Sequence, residues 1–128
     1  MISSCAIRIA LACLALSGPA RALPTSPSER ATLFAACAGR YAAQETFWGR
    51  QPDEDRDSDT FDALTEAVMP AAIDYGMPPA VARNAKFHAW RDHAYLRNDA
   101  EFSPDQGRRS RARDRLAQEL TECSDLIR

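Results

Sequence analysis

The densest chemistry in the chain is a run of carboxylates: Asp53, Glu54, Asp55, Asp57, Asp59 and Asp62. Counted from Asp55, it fits part of a calcium-binding loop, in which Asp55, Asp57 and Asp59 take positions 1, 3 and 5 and Glu66 takes position 12. Hard oxygen ligands at those intervals suit Ca²⁺. Position 6 is nevertheless Thr60, where the tight turn needs glycine, and position 8 is Asp62, where an apolar residue should pack. The competing reading is a solvated acidic loop whose last members favour the positive end of the helix that follows.

Two further groupings can be weighed as catalytic or binding chemistry. His88 and Asp92 stand four apart, so on a helix the carboxylate can orient the imidazole. His93 projects about 100° from Asp92 and does not join them. Two ligands fall short of the three or four that a zinc site needs, no motif supplies a nucleophile, and the Cys-x-x-Cys-His of covalent haem is absent from the sequence. The alternative is a hydrogen-bonded pair at the edge of a core. Arg108, Arg109, Arg111, Arg113 and Arg115 form the second grouping, with Asp105 and Asp114 among them and no aromatic interleaved. That pattern reads as an internal salt-bridge network rather than a nucleic-acid surface.

The cysteines acquire meaning from the first twenty-two residues. Ile9 to Leu16 is an unbroken apolar run, Ser17-Gly18-Pro19 breaks it, and Ala20-Arg21-Ala22 puts small residues before a cut at Leu23. This is the pattern of a secretory signal peptide, and its apolar run is far shorter than the roughly 20 residues of a membrane span. Lipidation at Cys13 is a weaker reading, because Ala10-Leu11-Ala12 departs from a lipobox. Cleavage removes Cys5, Cys13, Arg8 and Arg21 and no acid, which takes the formal charge from −2 to −4. Cys37 and Cys123 are then the only cysteines left, in an oxidising compartment, and are expected to pair.

The elements that must position these groups are helices. Ser26-Pro27-Ser28-Glu29 is a capping box, behind which Leu33, Cys37, Tyr41 and Trp48 recur at helical spacing up to Gly49. Phe61, Leu64, Val68 and Ala72 make a second stripe, with a kink expected at Pro70 and an end at Gly76. A third helix is expected from Ala80 to about Asn98, with Val81, Ala85, His88, Asp92 and Tyr95 on one face and Phe87, Trp90 and Ala94 on nearly the opposite one. Ser103-Pro104-Asp105-Gln106 opens a fourth, with the stripe Ala112, Leu116, Leu120, Cys123 and Ile127. The fold class is therefore all-α: residues 1–22 a signal peptide, residues 23–128 one up-down-up-down four-helix bundle stapled by Cys37 and Cys123. Antiparallel first and fourth helices place Arg113 beside Phe47 and Arg108 beside Pro52, bringing the arginines to the acidic loop.

A chain of 128 residues holds one domain, and its charge points neither to nucleic acid nor to a membrane partner. The leading expectation is a small periplasmic or secreted protein, cleaved near Ala22, that acts by binding another exported protein, as an inhibitor or accessory factor, and not by catalysis. Phe87 and Trp90 form its partner surface if the core uses only the opposite face of the third helix. No cofactor is expected, apart from calcium under the alternative that uses Asp55, Asp57, Asp59 and Glu66; a small enzyme built on His88 and Asp92 is the other alternative.

Overall fold

The computed structural model describes residues 23–49 and 56–128, which form four helices: α1 (Pro27–Trp48), α2 (Asp57–Asp74), α3 (Pro79–Phe102) and α4 (Gln106–Ser124). Residues 1–22, expected to be a signal peptide and including Cys13, lie outside the described residues, as do Pro52 and the acids Asp53, Glu54 and Asp55. The helices make a small all-α bundle in which α1 is the common support. Both α2 and α3 lie along it and touch each other little, while α4 packs chiefly on α3 and meets α1 only near its own C-terminal end.

Local signals set most of the helix ends. The Ser26 hydroxyl accepts from the Glu29 backbone N–H, and Pro27 occupies the first turn, where its missing donor costs nothing. The α2 helix runs through Pro70 to Asp74, and Gly76, at φ 102°, takes the left-handed turn that stops it. The backbone N–H groups of Gly76 and Met77 donate to the carbonyls of Ile73 and Ala72. The cap of α4 is Asp105, whose Oδ1 accepts from the Arg108 N–H at 2.7 Å; Ser103 ends α3 instead. The start of α2 has no cap of its own. Glu45 of α1 supplies one across the interface, accepting from both the backbone N–H and the hydroxyl of Ser58 at 3.2 and 2.5 Å.

The core is built in three patches. Phe34, Cys37, Ala38, Phe61 and Cys123 form the largest, with Tyr41 stacked on Phe61 at 5.6 Å between ring centroids. The Cys37–Cys123 disulfide closes it, spanning 86 residues of sequence. Burial holds the Tyr41 phenol above its usual range, assisted by the charge of Asp57 and opposed by that of Arg128. Ala31, Ala35, Ala72, Met77 and Ala82 form the second patch, and Ala100, Ala112 and Leu116 the third. Small residues dominate the α1–α3 contact, and at its centre Gly39 lies so close to α3 that an added Cβ would stand 2.1 Å from the Lys86 carbonyl oxygen.

This close approach decides which side of α3 is buried. Ala82, His93 and Ala100 are buried, with Ala85, Lys86, Ala89, Leu96 and Arg97 half-buried on the same side. Neither of the two faces expected from apolar spacing is the inner one. Val81, His88, Asp92 and Tyr95 are exposed, and so are Phe87 and Trp90.

The expected α1–α4 register holds beside the disulfide, where the Tyr41 hydroxyl donates to the Leu120 carbonyl at 3.4 Å. Farther along, the partners differ from those expected. Arg97 of α3 lies over the Phe47 ring at 4.2 Å, Arg108 pairs with Asp99 of α3 at 3.0 Å, and Arg109 donates to the Ser103 carbonyl. Arg108 and Arg109 are thus engaged by the end of α3, which α4 follows through a link of three residues, while the acidic residues 53–55 lie outside the described residues.

Candidate functional site

Two places in the fold hold more than packing requires. The first is a polar cluster where α1, α3 and α4 meet. His93 is fully buried, with Nδ1 2.9 Å from Glu119 Oε2 and Nε2 3.1 Å from Gln44 Oε1. Both ring nitrogens therefore face oxygen acceptors. Glu119, itself buried, also receives Arg115 Nε at 3.3 Å, and Arg40 Nε stands 3.9 Å from it. Arg40 reaches the disulfide as well, with Nη1 3.6 Å from Cys123 Sγ.

Glu119 titrates below the usual glutamate range. Burial pushes its pKa up, but the hydrogen bond from His93 and the charges of Arg40, His93 and Arg115 together more than offset it. The cluster thus surrounds one ionised carboxylate with partners from three helices: Arg40 of α1, His93 of α3 and Arg115 of α4 itself. A buried polar network of this kind fixes how the helices sit, since a half-satisfied arrangement is costly. Sequence spacing missed it, because its members come from three helices: positions 40 and 44 on α1, 93 on α3, and 115 and 119 on α4.

The second place is the outer face of α3. Phe87 is 59% exposed, Tyr95 66% and Phe102 71%, with Trp90 exposed along one flank. His88 packs its ring edgewise against Phe87 at 5.8 Å between centroids. Arg91 lies on this face too, its guanidinium bonded to Asp92 Oδ1 at 2.9 to 3.0 Å. Asp92 is engaged with Arg91, and His88 with Phe87, so the proposed His88–Asp92 pair gains no hydrogen bond with which one could orient the other. The imidazole drawn into a charged network is that of His93.

The calcium ligands read from the sequence are placed on a helix. Asp57 and Asp59 lie in the first turn of α2 and Glu66 two turns farther on, so positions 3 to 12 of the supposed loop are helical. Neighbours two apart on a helix point about 200° away from each other, which does not converge on one ion. Asp59 bonds Arg56 at 3.1 Å, Asp62 holds the ammonium of Lys86 from α3 at 2.7 Å, and Asp55 lies outside the described residues. Among the described residues, no group of three or more His, Cys, Asp or Glu side chains is placed to hold a metal ion, and no helix is long and apolar enough to cross a membrane. Compared with models of protein families, with curated proteins and with solved structures, the chain matches none.

Proposed function

We propose that this chain is exported, loses residues 1–22, and works in the periplasm or outside the cell as a non-enzymatic binding protein, an inhibitor or accessory factor that docks another exported protein on the outer face of α3. The observation that carries this reading is the sorting of residues on that helix. Alanines and His93 face α1 and α4, while Phe87, Trp90, Tyr95 and Phe102 face or flank the solvent side. The outer set adds little to the core: each fully buried aromatic removes about 150 to 250 Å² from water, and here much of that gain is forgone. Aromatics and arginine are the residue types that dominate protein–protein hot spots.

The disulfide supports the exported part of the reading, because such bridges persist in oxidising compartments. The test combines two measurements on the exported form. Mass spectrometry should find Leu23 at the N-terminus. A photo-crosslinking residue at position 91 should join the chain to one discrete exported protein. Phe87→Ala/Trp90→Ala should weaken that purified complex by at least about 30-fold, the equivalent of one hot spot of about 2 kcal/mol. Phe87 is 59% exposed but Trp90 only 37%, so the melting temperature should fall while the variant still folds cooperatively. A chain that retains residues 1–22 refutes the export. A complex of unchanged affinity, or none, refutes the docking face.

A further inference from the structure

α4 is held by unequal means along its length. Its C-terminal end is bonded covalently to α1 through Cys123. Its remaining length rests on α3 through Ala112 and Leu116 against Ala100, with Leu96 beside them, an apolar patch with two alanines among its four members. The surface pair Arg108–Asp99 adds little, as exposed pairs do. What fills the space between patch and disulfide is Glu119 with its ring of partners.

We propose that α4 is an acid-released arm: it stays docked on α3 while Glu119 is ionised among His93, Arg40 and Arg115, and it lifts away, still tethered through Cys37–Cys123, when that carboxylate is protonated. The groups facing Glu119 are Arg40 and, through His93, Gln44 from α1, His93 itself from α3, and Arg115 on its own helix. One turn beyond His93, Arg97 covers Phe47 and reaches Glu101; one turn beyond Glu119, Glu122 accepts from Gln118. α2 approaches α4 only through Phe61, in the patch that holds the disulfide, and brings no titratable group to Glu119 among the contacts described. His93 bridges Glu119 to Gln44 through its two ring nitrogens, so the carboxylate is tied to both α3 and α1. Protonating Glu119 removes the one negative charge on which Arg40, Arg115 and the His93 hydrogen bond converge, and leaves the two guanidinium groups without their shared acceptor.

The direction in pH follows from the lowered position of Glu119. Its contribution is fully present above the unfolded value near 4.5 and is lost as pH falls through the lower folded value. Release thus belongs to the acid side. An exported protein meets the pH of its surroundings directly, yet the release itself does not depend on export or on the α3 docking face.

Hydrogen exchange on the disulfide-intact chain, corrected for the intrinsic pH dependence of exchange, tests the proposal. Between pH 6.5 and 2.5, protection of the amides of residues 110–118 should fall about fivefold or more while that of residues 34–43 in α1 changes less than twofold. Glu119→Gln should show the low α4 protection already at pH 6.5. Asp99→Asn/Asp105→Asn, which neutralises the other carboxylates at the start of α4, should keep the acid release. The proposal is overturned if α4 protection in the wild type is insensitive to pH, if α1 and α4 lose it together, if Glu119→Gln retains the wild-type transition, or if the Asn pair abolishes it. The wild-type series decides even if Glu119→Gln does not fold.

Discussion

Gly39→Ala adds a single methyl group at the tightest point of the α1–α3 contact. Its Cβ would stand 2.1 Å from the Lys86 oxygen, 3.0 Å from the Lys86 carbonyl carbon and 3.0 Å from the Trp90 nitrogen. All three are backbone atoms, so no rotamer change relieves the clash, and the helices must separate by about 1.3 Å there to reach ordinary contact at 3.4 Å. Overpacking of this kind costs about 1 to 3 kcal/mol, and a backbone-on-backbone clash belongs at or above the upper end. Alanine regains up to about 1 kcal/mol in a helix interior, which leaves a net loss of about 2 kcal/mol. In a domain of this size that lowers Tm by roughly 8 to 16 °C. Gly107→Ala is the matched control, because its Cβ meets only the tips of the Arg111 and Asp105 side chains, at 3.2 Å. The same substitution should leave stability there unchanged or raise it by up to about 1 kcal/mol. Thermal and urea unfolding with the disulfide intact measures both. If Gly39→Ala melts within about 2 °C of the wild type, or if both variants shift in the same direction, the account of close helix approach is wrong.

Other consequences are open to measurement. Glu45→Ala removes the acceptor for Ser58 at the start of α2 and should cost about 1 to 2 kcal/mol in urea unfolding, with the first turn of α2 losing exchange protection first. Cys37→Ala/Cys123→Ala opens a loop of 86 residues and should lower the unfolding free energy by up to about 4 kcal/mol, a large share of the 5 to 15 kcal/mol typical of a domain. The Arg108 N–H bond holds Asp105 below its ordinary 3.8, so its cap is present above that value and lost as pH falls through the lower one. Asp105→Ala should flatten this part of the acid dependence, while Asp105→Asn keeps the cap at every pH, as helicity at the start of α4 would report. His93→Leu strands part of the charge on Glu119, whereas His93→Leu/Glu119→Leu removes both partners. The double variant should be the more stable of the two in urea, and equal stabilities would show the pair to be uncoupled.

The helices and the disulfide were legible because their signals are local or arithmetical. Ser26-Pro27, Gly76 and Asp105 act within four residues of where they stand, and once Cys5 and Cys13 are assigned to a signal segment, Cys37 and Cys123 can pair in only one way. The inner face of α3 was not legible. Apolar spacing weights large side chains, and here the inner stripe is the buried Ala82, His93 and Ala100 with the half-buried Lys86 and Ala89, which is only weakly apolar. Lys86 is drawn inward by Asp62 of α2, and His93 by Glu119 and Gln44, partners distant in sequence. Gly39 carried a signal that could have been read. Together with Ala31, Ala35, Ala38 and Ala43 it makes a stripe of small residues on α1, which admits a helix backbone and excludes aromatic side chains.

That exclusion bears on the outer face as well. If α3 were turned half round on its axis, Phe87, Tyr95 and Phe102 would point at α1 and bury more apolar area than the alanines do. The turn is blocked twice. Gly39 and the alanines of α1 leave no room for a ring between backbones that already approach this closely. The same rotation would also take His93 away from Glu119 and Gln44, leaving the carboxylate of α4 without its hydrogen-bonded partner. Steric closeness on α1 and charge on α4 therefore select one orientation of α3, and the aromatics face outward as a consequence of both. A surface fixed in this way is rigid before any partner arrives. Binding to it pays little for ordering the helix, and its affinity should follow the contacts that Phe87 and Trp90 make.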